Sequence, residues 1–212
     1  MIFLRYAPRY RQYALLRVWR CIDGVAATEF AFLAPLLVLM YLGTVEISRA
    51  INTDRQFNSA TAMTAELVSR EAELGDTIAE ADATLEGIIK SVEHVMSPYD
   101  TASLKLSIIS VKASSDDATD TKVEWSYSHN GHSAPSKCSP YQLPADIVAE
   151  GESVIVVESS YLYEPIFTGV VPGFSGKITW TDKSIHSPRN SCVDYAGSQC
   201  LLDCGGSDGG DG

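Results

Sequence analysis

The feature that most constrains this chain is an uninterrupted apolar run from Val25 to Val45. Its 21 residues carry a single charge, that of Glu29. At about 1.5 Å rise per residue, such a run forms a helix about 31 Å long, which matches the hydrocarbon thickness of a bilayer. The sequence therefore predicts a transmembrane helix over residues 25–45.

The charges divide sharply at this apolar run. Residues 1–23 contain one acid, Asp23, and five arginines: Arg5, Arg9, Arg11, Arg17 and Arg20. Their net charge is therefore +4, whereas the rest of the chain carries −15. Arginines concentrated on one side of a first span favour a cytoplasmic N-terminus. The sequence predicts a basic cytoplasmic leader over residues 1–24 and an external region beyond the span. The acidic charge of that region argues against nucleic acid as a partner.

The cysteines fit the same topology. Cys21 lies on the cytoplasmic side, and the other four lie on the far side: Cys138, Cys192, Cys200 and Cys204. An even number of cysteines in an oxidising compartment predicts two disulfides, for which three connectivities are possible. The favoured pairing is Cys138 with Cys192 and Cys200 with Cys204. Four free thiols are the alternative.

Two helices are predicted after the membrane boundary. Apolar residues continue at near-helical spacing to about Leu74, which indicates an amphipathic stalk that stops at Gly75. A second amphipathic helix follows from about Asp76 to Met96, with Asp76 as its N-cap or first-turn acid. We expect its apolar face to pack on a sheet.

Four strands are predicted in the remainder. Alternating apolar residues run through 104–111, 123–127, 153–163 and 177–185, and a change of phase at Ile109 and Val111 suggests a β-bulge. The fold class is therefore α+β: a transmembrane helix that continues into the stalk, then a second helix packed on a roughly four-stranded antiparallel sheet. Residues 46–204 form the external head, including the stalk helix. The Gly- and Asp-rich residues 205–212 are predicted to be disordered.

Catalytic and metal-binding patterns are weak. The segment Gly173-Phe174-Ser175-Gly176-Lys177 lacks the final glycine that a nucleophile elbow requires. His129 and His132 flank an Asn-Gly turn without a third ligand at suitable local spacing, and the acidic loop of Asp116, Asp117 and Asp120 lacks the glycine of a calcium loop. We expect no enzymatic activity, no metal and no cofactor.

The position of a small residue points to an unusual processing site. A secretory signal is cut after its apolar core, but residues 43–48 offer no convincing small-x-small site. Gly24 lies before the apolar run instead. With Glu29 five residues later, this arrangement resembles the cleavage motif of type IV prepilins.

The wider pattern resembles one family more specifically. The string from Gly24 to Leu37 is GVAATEFAFLAPLL, and it includes Phe30 and Pro35; Gly43 and Glu46 follow it. This is similar to the pattern GxxxxEFAxxxPxL of the TadE-like pilus assembly proteins, over about residues 17–65. The chain is too short for the added domain of the TadG-type relatives, which leaves the short TadE or TadF pseudopilins.

The resemblance implies a processing site, partners and a location. A prepilin peptidase would cut between Gly24 and Val25, leaving a mature chain whose N-terminus is Val25. The implied partners are that peptidase, other pilins and pseudopilins, an inner-membrane pilus assembly platform and membrane lipid. The protein is expected in the bacterial inner membrane with a single span, its N-terminus cytoplasmic and its head periplasmic.

Glu29 is the residue to which both lines of reasoning point. A carboxylate inside a bilayer costs at least a few kcal/mol, so an intramembrane acid is a functional suspect. After the implied cleavage, the α-ammonium of Val25 would be its natural partner, in the same chain or in a neighbour. Pro35 lies mid-span, where it removes a backbone donor and is expected to kink the helix.

The predicted function is that of a minor pilin or pseudopilin in the assembly of a Flp-type, tight-adherence pilus. The alternative is an uncleaved single-pass protein whose external domain binds a partner in the cell envelope. A membrane-tethered hydrolase is the third class, and the motif analysis gives it little support.

Overall fold

The computed structural model of the chain describes residues 23–169, 176–202 and 204. It contains two helices and four strands: α1 (Asp23–Arg70), α2 (Ile78–Val95), β1 (Leu104–Ala113), β2 (Thr121–His129), β3 (Ser153–Tyr163) and β4 (Ile178–His186). The predicted α+β class is confirmed. The predictions for the leader before residue 23, for Cys21, for Ser175 and for the tail at 205–212 lie outside the described residues.

The first helix is one continuous element of 48 residues, roughly 72 Å long. It joins the predicted span to the predicted stalk without a break and continues through Pro35. It ends at Arg70 rather than at Leu74, because the chain then pairs with a later segment: the Leu74 amide donates to the Asp194 carbonyl at 2.9 Å. Gly75 allows the chain to pass close to α2, since a Cβ at this position would lie 2.7 Å from Glu80 Cβ.

The second helix starts with a capping box. The Glu80 amide donates to Thr77 Oγ1 at 3.3 Å, and the Thr77 amide donates to Glu80 Oε2 at 3.2 Å. Thr77 is therefore the N-cap, one residue after the predicted Asp76, and the T-x-x-E spacing was the signal for it. Most of the face predicted to be apolar is buried: Ala81, Leu85, Ile89 and Val92. Ile78, which the periodicity also assigns to this face, is exposed because it is the first residue of the helix.

The sheet is antiparallel with the strand order β2-β1-β3-β4, and β1 and β3 lie at its centre. The register between β1 and β2 shifts between Ser110 and Val111, where the phase change predicted a bulge. Glu124 is the residue that the shift leaves without a partner on β1. It is buried, its Oε2 accepts from Ser110 Oγ at 2.9 Å, and burial raises the pKa of its carboxyl.

Both faces of the sheet are covered. The helices pack on one face, as predicted, in a core that includes Phe57, Val68, Leu85, Ile89, Leu106, Ile108, Ile155 and Val157. On the other face, a smaller cluster of valines and Ile109 packs against side chains of the segment between β2 and β3: Tyr141, Leu143, Ile147 and Val148. The head is thus a helix layer, a sheet and a covering segment.

The cysteines pair differently from the favoured prediction. The structure joins Cys138 to Cys204 and Cys192 to Cys200, with Cα–Cα distances of 5.5 Å and 6.1 Å. The cause is a C-terminal strap, which we define as residues 189–202 with Cys204. Its backbone is held along the head by bonds from the Ser153 amide to the Ser191 carbonyl and from Trp125 Nε1 to the Val193 carbonyl. It then turns back on itself, which brings Cys200 to Cys192.

The small disulfide ring allows a stability prediction. Because Cys200 lies only eight positions after Cys192, the chain-entropy model assigns this bond about 2.5 kcal/mol of stabilisation. We expect the double variant Cys192→Ser/Cys200→Ser to lose about that much free energy of unfolding. Urea unfolding of the full chain in detergent would measure it. Cys21→Ser is the control and should unfold like the wild type; an unchanged double variant would contradict the prediction.

Candidate membrane and assembly segment

Gly24 occupies a position where the fold does not require glycine. It lies in the first turn described for α1, and a Cβ built on it meets no atom within 4 Å. Glycine costs a helix about 1 kcal/mol relative to alanine. The described chain therefore has room for a larger side chain at residue 24.

Val25 and Glu29 lie one turn apart on α1. Their spacing of four residues places them on the same side of the helix. Between them, Thr28 Oγ1 donates to the Val25 carbonyl at 2.8 Å. Glu29 is exposed, and none of the residues that the structure describes forms a salt bridge with it. The structure thus leaves its carboxylate available to a group from elsewhere.

The segment after Glu29 is apolar on all sides. Its side chains are exposed almost without exception, among them Phe30, Phe32, Leu36, Leu37, Met40 and Tyr41, and Pro35 is exposed as well. In its most apolar stretch of 18 residues, only 6% is buried against the rest of the described chain. In the core helix of a water-soluble domain that share would be large, so this surface needs a non-aqueous environment or other helices.

One helix of the described chain, from Gly24 to Arg70, is long and apolar enough to cross a membrane. This finding rests on length and composition, and it fits a single-pass membrane protein. Residues 24–66 match the family model for TadE-like protein. The predicted resemblance is confirmed for this segment, which is about a fifth of the chain. No curated protein and no solved structure matches the chain.

The TadE-like segment begins at Gly24 and contains Val25, Glu29, Phe30 and Pro35. A match to the TadE-like family suggests a role in the assembly of Tad/Flp pili, which agrees with the prediction from the sequence. The segment also extends past Val45, the last residue of the predicted span, and continues into the head. Its second half is therefore where the apolar helix and the folded domain meet.

Glu46 is the residue at that junction. It follows the apolar run directly, yet only 1% of its surface is exposed. Its carboxylate accepts from Tyr163 Oη at 2.6 Å, from the Ile166 amide at 3.2 Å and from the Phe167 amide at 3.3 Å. These donors lie at the end of β3 and in the connection to β4. The head is therefore bonded to α1 at the first residue after the predicted span, and no length of bare stalk separates the two.

The environment of Glu46 keeps its main donor protonated. Burial, followed by the hydrogen bond to Glu46, raises the pKa of Tyr163 far above its usual value. Trp180 of β4 stacks on the Tyr163 ring at 4.8 Å between centroids. Nearby, the guanidinium of Arg49 lies 5.9 Å from the centre of the Tyr99 ring. The hydroxyl of Tyr163 is thus a donor to Glu46, and its ring is packed against Trp180.

The sequence had marked Glu46 only as the acid after Gly43 and as a polar stalk residue. The missed signal is its position, because an acid directly after a transmembrane run needs either water or buried donors. The structure supplies the donors from residues more than a hundred positions later. No local pattern around Glu46 identifies them.

The side chain of His129 lies beside two carboxylates of α2. His129 Nδ1 lies 3.3 Å from Glu86 Oε2, and His129 Nε2 lies 3.8 Å from Glu93 Oε1. Glu86 Oε2 also accepts from Tyr127 Oη at 3.1 Å. Within the described ranges, no group of three or more His, Cys, Asp or Glu side chains could hold a metal ion. The contacts of His129 therefore join β2 to α2.

Proposed function

We propose that this chain is a minor pilin or pseudopilin that acts in the assembly of a Flp-type, tight-adherence pilus. In this proposal it is a structural component rather than an enzyme. It is inserted in the inner membrane with its N-terminus in the cytoplasm and its head in the periplasm, and a prepilin peptidase cuts it between Gly24 and Val25.

One observation carries the proposal. The TadE-like match begins at Gly24, where the described chain leaves room for a larger side chain, and it opens an apolar helix whose surface the rest of the described chain leaves uncovered. A recognition site for a peptidase accounts for the glycine. Packing in a bilayer, and then against the helices of other pilins and pseudopilins, accounts for the uncovered surface.

The charges support the orientation. Residues 1–23 carry +4, and the chain beyond them carries −15. The positive residues would remain in the cytoplasm, while the acidic head with its two disulfides would fold in an oxidising compartment. The partners in this proposal are the prepilin peptidase, other pilins and pseudopilins, the inner-membrane assembly platform and membrane lipid.

The N-terminus of the protein from cells with an active prepilin peptidase tests the proposal. We expect N-terminal sequencing to return Val25. A chain that still begins with Met1 would overturn the cleavage and favour an uncleaved single-pass protein that binds an envelope partner. Screens for hydrolase activity on the purified full chain should stay at background, and turnover above it would contradict the non-enzymatic role.

The role of Glu29 leads to a separate prediction. We expect Glu29→Gln to be cut as efficiently as the wild type but to lower the number of pili per cell severely, because the neutral side chain cannot pair with the new α-ammonium of Val25. Electron microscopy would count the pili, and immunoblotting would follow the cleavage. Glu66→Gln changes an exposed acid on the same helix and is the control. Unchanged pili in Glu29→Gln would contradict the intramembrane ion pair.

A further inference from the structure

The connection after β3 lies at the level where the apolar run ends. Val45 is the last residue of that run, and Glu46 follows it. The Ile166 amide lies 3.2 Å from Glu46 Oε2 and the Phe167 amide 3.3 Å from the same atom. Because a glutamate side chain extends about 5 Å, these backbone atoms lie within about 8 Å of the Glu46 Cα. The headgroup layer on each side of a bilayer is roughly 5–8 Å thick.

Apolar side chains are exposed at this level. Ile166 has 58% of its surface exposed, although it lies only three residues after Tyr163, the buried end of β3. Ile178, the first residue of β4, is exposed as well and pairs with Tyr163, whose hydroxyl reaches Glu46. Ile47 is the exposed apolar residue next to Glu46 on α1. We call Ile47, Ile166 and Ile178 the membrane-proximal rim.

The rim contrasts with the opposite end of the head. Outside α1, the described part of the head exposes four large apolar side chains: Ile78, Ile166, Ile178 and Leu201. Ile78 starts α2 and follows the end of α1 at Arg70, which lies roughly 36 Å beyond Glu46 along the helix. Ile166 instead bonds to Glu46 through its amide, and Ile178 pairs with Tyr163, whose hydroxyl reaches Glu46.

We propose that the membrane-proximal rim is a lipid-contact surface, with Ile166 as its main anchor, that seats the head on the outer leaflet of the inner membrane. The partner is the boundary between headgroups and acyl chains, where exposed isoleucines lose water contact and gain free energy. The ion pair between Lys177 and Glu164 flanks the rim and stays among the headgroups. This proposal rests on the membrane insertion in the proposed function.

The rim also explains why Glu46 is so completely enclosed. A carboxylate at the boundary of the acyl chains is costly unless donors satisfy it. The connection after β3 supplies two amides to the carboxylate and presents Ile166 outward. The same short segment therefore shields the charge and contacts the lipid.

Lipid quenching of tryptophan fluorescence tests the rim in the full chain. The protein is reconstituted in vesicles of phosphatidylethanolamine and phosphatidylglycerol with a fraction of phosphatidylcholine brominated near the glycerol end of its acyl chains. Ile166→Trp and Ile178→Trp are each compared with the wild type, whose own three tryptophans give the constant background. We expect the brominated lipid to quench the added emission of Ile166→Trp. We also expect this emission to lie at a shorter wavelength than the added emission of Ile78→Trp.

Two matched variants make the outcomes separable. Ile78→Trp replaces an isoleucine of similar exposure, 64%, at the far end of the head and should not be quenched. Tyr41→Trp places the probe within the exposed part of the span and should be quenched strongly. Quenching of Tyr41→Trp without quenching of either rim variant would overturn the lipid-contact surface. If Tyr41→Trp itself is not quenched, the membrane insertion is wrong, and the rim proposal is overturned together with it.

Discussion

A Gly24→Leu chain is expected to accumulate as the uncut precursor, inserted in the membrane, with processing reduced to background. Open space surrounds the Cβ position of Gly24, so leucine fits the helix without a clash and even improves its helix propensity. We therefore expect the substitution to leave the stability of the folded chain unchanged. A peptidase that accepts only a small residue before the scissile bond would reject the larger side chain.

The chain offers a close control for this substitution. Gly87 is an exposed glycine in the middle of α2, and a Cβ on it also meets no atom within 4 Å. Gly87→Leu should be processed like the wild type. Mass spectrometry of membrane fractions from cells that contain the peptidase would compare the two. Cleavage of Gly24→Leu at the normal rate would contradict Gly24 as the recognition residue, and loss of the chain from the membrane would contradict the assigned span.

Glu46→Ala is expected to destabilise the head by about 4 kcal/mol, because three donors lose their acceptor at once. The Tyr163 hydroxyl and the amides of Ile166 and Phe167 all bond to this carboxylate. Each donor left without a partner in a buried site costs about 1–3 kcal/mol. We expect the end of β3 to separate from α1, and Trp180 to lose its fixed stacking on Tyr163.

Urea unfolding of the full chain in detergent, followed by near-ultraviolet circular dichroism, would measure the loss. Glu66→Ala removes an exposed acid from the same helix, one that pairs only with Arg70 in an exposed salt bridge, and should cost less than about 1 kcal/mol. Limited proteolysis should cut Glu46→Ala preferentially between β3 and β4. A Glu46→Ala chain as stable as Glu66→Ala would contradict the role of Glu46 in holding the head on the helix.

The parts of the fold that depend on local physics could be predicted from the sequence. The span follows from 21 apolar residues, the second helix from its periodicity, and the bulge from the change of phase at Ile109 and Val111. These signals act between residues close in the chain. The one-residue error at the start of α2 was also local, since Thr77 and Glu80 form a recognisable capping box.

The remaining features depend on contacts between distant parts of the chain. Helix α1 ends at Arg70 because the segment after it forms backbone hydrogen bonds with Asp194. The disulfide pairing depends on the path of the C-terminal strap across β2 and β3, which cysteine spacing alone does not define. The burial of Glu46 could not be predicted, because its partners come from the end of β3 and the connection after it. In the candidate site, the sequence pattern pointed to Gly24 and Glu29, whereas the role of Glu46 can be recognised only from the fold.

The C-terminal strap has a consequence for the timing of export. The strap bonds to the end of α1 through Arg189 and Ser69 and to α2 through Tyr195 and Asp82. The disulfide of Cys204 with Cys138 joins it to the segment between β2 and β3. In the proposed orientation, the head crosses the membrane after the span in chain order, so that all these partners arrive before the strap does. The far end of the head then stays open until residue 204 has emerged and been oxidised. Translocation and thiol oxidation, rather than membrane insertion, would set the moment at which a subunit is complete.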